Sequence, residues 1–521
     1  MKMLQKTLRS VVDNPKHIFK LAVQGIFVGI FAGIMVCLYR FLLYSSESIL
    51  RNFLEFINGN IFLIIAWFII LAILGLFTAF LVKWEPDSIG SGIPQINAEV
   101  KGFLNTNWLK ILTAKISAGV LTALGGLSLG PEGPSVQIGG MAGKGISRIF
   151  KESRTDELRL ILAGSTVGIT AAFNAPLAGV IFIIEEINHS FDKTLIFIAL
   201  TASVVADFIS KSFFGQATVL NFPLHNLPLS SYWLLIVLGL LLGILGYVYN
   251  VGMIRANDRL AKMSNIPLEI KFICVFLISG VVALFIPEIL DGGHFMLDML
   301  DVAIPSLGIL IFLLVAKYLF SVVSFSAGTP GGIFLPLLVL GAFIGAIFGS
   351  VVIPIFGLES YLIYKFIVIS MAGFFAATVR SPITGVVLLS EMCGSTESLV
   401  AMLIVAIIAY AVPMLLNNRP IYESLFERLL AKNNHFIKDH SKHILSEYVV
   451  PSGWKYTGKP IKDIPFPKGC IVVSITRGGD YILADEDITI NYADQIHMLM
   501  DSKNYPFKND EMGELMSKVI Q

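Results

Sequence analysis

Five stretches of this chain run for about a membrane-spanning helix each without one Asp, Glu, Lys or Arg: Leu21–Tyr39, Ile61–Val82, Tyr232–Ile254, Leu337–Leu358 and Ser398–Asn418. A helix of about 20 apolar residues crosses the hydrocarbon core of a bilayer. The chain therefore reads as a polytopic membrane protein with lipid around it. Composition agrees, since 55% of residues are hydrophobic and only 14% are charged, against about 25% charged in soluble domains. A formal charge of +1 gives no field for a polyanion, so no nucleic-acid partner is expected. Cys37, Cys274, Cys393 and Cys470 are scattered, with neither pairing nor ligand spacing. We expect no disulfide, no metal and no cofactor.

Lys2, Lys6, Arg9, Lys16 and Lys20 against Asp13 put the N-terminal segment, residues 1–20, in the cytoplasm. It leads into a full-length span, unlike a cleavable signal. Apolar character stops near Asn418, and the following stretch carries Arg419, Arg428, Lys432, Lys438 and Lys442. His435, His440 and His443 in this stretch read as a solvated face rather than a metal site. From about Tyr448 the pattern turns to short strands, with Cys470–Thr476 and Gln495–Met500 the clearest. Arg477-Gly478-Gly479-Asp480 reads as a tight hairpin turn. The expected layout is a membrane domain over 21–430, with halves of about 21–215 and 230–430. A linker (431–446), a small cytoplasmic α/β domain (447–506) and a tail (507–521) follow. With both ends cytoplasmic, the number of crossings is even.

The membrane part repeats itself. Leu112-Thr113-Ala114-Lys115 matches Leu314-Val315-Ala316-Lys317, and Gly130-Pro131-Glu132-Gly133-Pro134 matches Gly332-Ile333-Phe334-Leu335-Pro336, both at an offset of 202. Pro176-Leu177-Ala178-Gly179-Val180 with Glu185 matches Pro382-Ile383-Thr384-Gly385-Val386 with Glu391 at an offset of 206. Internal repeats with Gly/Pro-broken apolar segments at matching places are the sequence mark of secondary transporters, and the broken segments point to the binding site. Here those segments are Leu127–Gly140 and Ala327–Val339.

Gly90-Ser91-Gly92-Ile93-Pro94, Gly130–Pro134 and Gly331–Pro336 read as helix N-termini. Such ends carry free N–H groups and about half a positive charge. Anions bind them without a full cation, and glycine lets the backbone approach closely. Glu132 lies within one of these segments. A carboxylate at membrane depth costs about 2.5–3.5 kcal/mol or more and is functional by default. Ionised, it can occupy the anion site; protonated, it can leave, which links proton binding to anion occupancy. Glu185 and its mate Glu391 read as helix-end residues. Glu186 has Met392 at the matching place, and that asymmetry makes it the proton-relay candidate. Lys115 and Lys317 either raise the potential of the anion path, or snorkel to an interface or pair with a buried carboxylate. Tyr422 reads as an interfacial aromatic or a hydroxyl donor.

GSGIP (90–94), GPEGP (130–134), GGIFLP (331–336), FNAPLAGVIFIIEE (173–186) and Tyr422 together resemble the CLC family of chloride channels and transporters, over about residues 20–430. The resemblance implies an all-α membrane fold of two inverted repeats with tilted and broken helices, in a homodimer with one anion path per subunit. It implies that Ser91 and Tyr422 donate hydroxyls, and Ile333 and Phe334 backbone N–H groups, to a central chloride. The backbone at Gly90, Gly92, Gly130, Gly133 and Gly332 would shape the path. Glu132 resembles the external gating glutamate and Glu186 the internal proton glutamate of the exchanger branch. Serine in GSGIP resembles chloride-preferring members. The implied function is secondary active chloride/proton antiport, with a passive chloride channel as the alternative and a membrane-anchored ligand sensor as a distant third; none is an enzyme. The chain departs from the family pattern at Pro131, where many members have a basic residue, and at Gln95 and Asn97, where many have acids. The C-terminal part resembles the TrkA-C module of prokaryotic ion transporters. This implies a prokaryotic plasma membrane and a small-molecule regulator.

Overall fold

The structure, a computed structural model, describes residues 15–57, 59–188, 192–263, 265–432, 443–477, 480–501 and 505–517. Lys2, Lys6, Arg9, Asp13, His435, Lys438, His440, Lys442, Gly478 and Gly479 lie outside them. The chain divides into two units, Met1–Leu429 and Leu430–Gln521.

Among the described residues of the first unit, eight helices are long and apolar enough to cross a membrane. In chain order the first half holds α1 (Pro15–Ile57), α2 (Ile61–Trp84), α3 (Ile93–Val100), α4 (Trp108–Leu124), α5 (Glu132–Phe150), α6 (Arg154–Phe173), α7 (Pro176–Phe182) and α8 (Lys193–Phe214). The second half repeats the series: α9 (Trp233–Lys262), α10 (Leu268–Phe285), α11 (His294–Val302), α12 (Leu307–Ser326), α13 (Phe334–Phe356), α14 (Leu362–Val379), α15 (Pro382–Cys393) and α16 (Leu399–Leu415). The helix α17 (Ile421–Lys432) follows. At 8, 7 and 9 residues, α3, α7 and α11 are far too short to span a bilayer. They can sit at membrane depth only because protein surrounds them. On α2, Ile61, Phe62, Ile65, Ile69, Phe77 and Phe80 are exposed, an apolar face suited to lipid.

Local signals set the helix ends. Asn60 caps α2 by accepting from the Phe62 N–H at 3.0 Å. Asn107 caps α4 through the N–H groups of Leu109 and Lys110. Asn174 and Arg380, repeat mates, both take positive φ (53° and 73°) just before Pro176 and Pro382 start α7 and α15. The change of offset from 202 to 206 also has a place. Helix α13 has 23 residues where α5 has 19, and both start at matching positions. The extra turn lies at the far end of α13, beyond the segment that carries the repeated motif.

The second unit is a four-stranded antiparallel sheet, in the order β1 (His443–Val449), β4 (Gln495–Asp501), β2 (Cys470–Arg477), β3 (Asp480–Leu483), followed by α18 (Tyr505–Met516). Arg477 pairs with Asp480 at the β2–β3 end, as the hairpin reading requires. Ile475, Ile496, Met498 and Met500 share a core with Trp454, Met512 and Leu515. The Trp454 indole N–H donates to the Leu515 carbonyl at 2.8 Å. Two boundaries differ from the sequence reading. The strand β1 starts at His443, inside the stretch read as linker, and α18 occupies most of the stretch read as a tail. Met512, Leu515 and Met516 of α18 join the core beside the sheet.

Candidate functional site

The broken segments of the two halves are tied to each other. Gly130 and Gly332, which are repeat mates, exchange both backbone hydrogen bonds at 2.7 Å. The Gly331 N–H donates to the Gly90 carbonyl at 3.1 Å, and the Gly90 N–H to Gly328 at 3.2 Å. The starts of α3, α5 and α13 therefore converge, as the sequence leads one to expect. Lys115 and Lys317 hold the loops just upstream. The Lys115 ammonium donates to the Ser88 and Gly90 carbonyls at 2.9 and 2.6 Å. That of Lys317 donates to Ile289 and Asp291 at 2.9 and 2.7 Å. Both lysines are fully buried, which excludes snorkelling. Their partners are backbone carbonyls, a use the sequence reading did not foresee.

Close approach explains the motif glycines. A Cβ at Gly133 would strike the Ser91 hydroxyl, and one at Gly130 would strike the Glu132 carboxylate. At Gly332 it would meet the Gly133 nitrogen at 2.9 Å. Gly92 caps α3 at φ 102°, a left-handed conformation that glycine alone adopts freely.

The Ser91 hydroxyl, the Tyr422 hydroxyl and Glu132 Oε1 are buried and have no hydrogen-bond partner among the described residues. A buried polar atom left unpaired costs about 1–3 kcal/mol, so each of the three is open to a partner from outside the chain. Rings form its walls. Phe334 lies 4.7 Å from Phe375, 5.3 Å from Phe173 and 6.0 Å from Phe182, centroid to centroid, and Phe182 lies 6.5 Å from Tyr422. Ile333 and Phe334 stand at the cap and first position of α13, where backbone N–H groups have no acceptor within the helix.

Glu132 is fully buried at the first position of α5. Its Oε2 accepts from the Leu335 N–H of α13 at 3.3 Å, so the carboxylate sits on the helix start of the opposite half. It also lines a narrow cavity of about 30 Å³, with Pro131, Tyr39, Arg40, Glu47, Asp291 and His294. Arg40 is a residue that the motifs did not flag. Its Nη1 donates to the Ala171 carbonyl and Asn174 Oδ1, and its guanidinium lies 4.4 Å over the Phe214 ring.

Glu186 lies in a π-helical segment, Ile183–Asn188, and is 7% exposed. Its Oε2 accepts from the Ser381 hydroxyl at 3.0 Å. It lines a different cavity of about 450 Å³, with Asn97, Lys101, Arg380, Tyr410 and Glu423 among the walls. The two glutamates therefore open on separate cavities. π-turns commonly mark functional sites. This one stands where the halves differ, since the matching stretch of α15 is a regular helix. Glu185 and Glu391 do act at helix ends, and each serves the other half. Glu185 accepts from the Ile383 and Thr384 N–H groups at the start of α15, at 3.2 and 2.8 Å. Glu391 accepts from Leu177 and Ala178 at the start of α7, at 3.0 and 2.8 Å. Gln95 turns inward and donates to the Ile89 carbonyl at 2.7 Å.

This geometry has known counterparts. Residues 74–413 match the voltage gated chloride channel family, and residues 445–506 match the TrkA-C domain. The chain belongs to the voltage gated chloride channel family. Among its family relatives, the H(+)/Cl(-) exchange transporter ClcA of Klebsiella pneumoniae is 34% identical over 70% of this chain and 79% of its own length. That of Salmonella arizonae is 31% identical over 82% of this chain and 93% of its own. A family structure, that of a slow cyanobacterial Cl-/H+ antiporter, superposes with a TM-score of 0.75 at 27% identity, covering 80% of this chain and 99% of that one. A eukaryotic CLC transporter shares the family fold with a TM-score of 0.69 at 21% identity, covering 86% of this chain and 80% of that one. The relatives are named as transporters, not as enzymes. The inverted-repeat family fold, the multi-pass membrane build and the TrkA-C domain expected from the sequence are all found.

Proposed function

We propose that this protein exchanges chloride for protons across the plasma membrane of a prokaryotic cell, as a homodimer with both termini in the cytoplasm. One observation carries the reading: the buried Glu132 carboxylate rests on the start of α13, on donors that suit a small anion. A negative side chain on such donors competes with chloride for them. When it takes a proton it loses its claim, and chloride enters. Ser91, Tyr422 and the N–H groups of Ile333 and Phe334 hold the incoming ion. Phenyl walls keep that hold weak enough for release. Glu186, facing the other cavity, passes protons to and from Glu132. The names of the relatives, H(+)/Cl(-) exchange transporters, support the exchange reading over a passive channel. The TrkA-C domain supports regulation by a small ligand. The domain layout, with the membrane part ending near 430, fits the same reading. The test is transport by purified protein in liposomes. A chloride gradient should drive protons uphill, and chloride flux without proton movement would make the protein a channel.

A further inference from the structure

Glu186 is buried, and a proton must reach it from water through the 450 Å³ cavity that it lines. Each ionisable group on the walls of that cavity can be weighed as the first stop for that proton. Lys101 and Arg380 are cations, which repel an arriving proton, and the Arg380 guanidinium lies 5.1 Å over the Tyr410 ring, so that phenol faces a cation too. The Asn97 amide has no proton to give. Glu185 is spoken for: both of its oxygens accept hydrogen bonds, from the Ile383 and Thr384 N–H groups and the Thr384 hydroxyl at 2.7 Å. Among the described residues of the walls one carboxylate remains, that of Glu423, in the first turn of α17. Its side chain is exposed, while Tyr422 beside it in the chain is buried in the anion site.

We propose that Glu423 is the proton-entry residue of this transporter, collecting protons at the wall of the Glu186 cavity and delivering them inward through its water. This rests on the exchange reading above. The step moves only a proton, which passes from bulk water to one carboxylate, then through water in the cavity to the other, and each carboxylate returns to its starting charge. Placing the acid next to Tyr422 also sets a proton-collecting group and a chloride-binding hydroxyl on one turn of one helix.

The experiment measures coupled chloride and proton flux in liposomes for the wild type, Glu423→Gln and Glu423→Asp, between pH 5 and pH 8. Removing a proton collector slows supply where protons are scarce. Glu423→Gln should turn over roughly threefold or more slowly at the alkaline end, short of the factor of about 100 from a positioned acid in a chemical step. The deficit should close toward pH 5 and shrink when a small permeant buffer is raised in concentration. The number of chlorides per proton should stay that of the wild type, and Glu423→Asp should keep most of the rate. A merely structural role would slow transport equally at every pH and ignore the buffer. A Glu423→Gln profile that overlays the wild type, or a deficit independent of pH and buffer, overturns the proposal. Wild-type chloride flux with no proton movement overturns the exchange reading instead.

Discussion

Gly130 and Gly332 donate a backbone N–H each to the other's carbonyl, both at 2.7 Å, although 202 residues separate them. Two repeat mates that pair reciprocally straddle the approximate two-fold axis relating their halves. The starts of α5 and α13 therefore gather around the one line that both halves share.

Gly332→Ala should disturb that line. The new methyl would press on the Gly133 nitrogen and the Gly130 carbonyl, backbone atoms that cannot give way. Overpacking of this kind costs about 1–3 kcal/mol. Thermal unfolding in detergent should show a lowered midpoint, and chloride flux should fall with it. An unchanged midpoint would mean that the two loops separate easily.

Glu132→Gln and Glu186→Gln should each abolish proton movement while chloride still flows. The two should differ in chloride flux against pH. Glu132→Gln should be flat, because its amide never regains the charge that contests the Leu335 N–H. Paired flux measurements by chloride electrode and pH electrode decide this, and proton pumping in either variant counts against the assigned role.

Glu391→Ala should weaken the fold without uncoupling transport. It removes the acceptor for two N–H groups at the start of α7. Loss of such a cap costs about 0.5–2 kcal/mol. A lower unfolding midpoint with the normal number of chlorides per proton is the expected pair of results.

Ser91→Pro should shift the preference between nitrate and chloride. It removes the unpartnered hydroxyl next to Gly133. Competing flux of the two anions through the variant and the wild type reads this directly. An identical preference would take Ser91 out of the selectivity assignment.

Met512→Ala should destabilise the C-terminal unit alone. Met512 is fully buried in the core that also holds Trp454. Truncating a buried methionine costs about 2–5 kcal/mol. Tryptophan fluorescence during unfolding of the variant should report an early transition from Trp454.

Much of this was legible in the sequence because repetition and charge rarity are strong signals. The helix starts at Ile93, Glu132 and Phe334 follow from glycine and proline placement. The asymmetry of Glu186 against Met392 pointed to the stretch that proves π-helical. What stayed hidden depends on contacts between distant segments. Nothing near Lys115 in the chain says that its ammonium closes a loop of carbonyls 25 to 27 residues upstream. Arg40 reads as one more charge in an apolar helix until Asn174 and Phe214 are folded against it. The mating of Glu185 with Glu391 was visible, but that each grips the opposite half was not.

Those crossed grips limit how the molecule can work. To rock one half against the other, a transporter of this build would have to tear Glu185 from α15, Glu391 from α7 and the glycine pair from itself in one stroke. For the exchange proposed above, the cheaper moving part would be a single carboxylate swinging on its own short stem, a side chain inside a clasped frame.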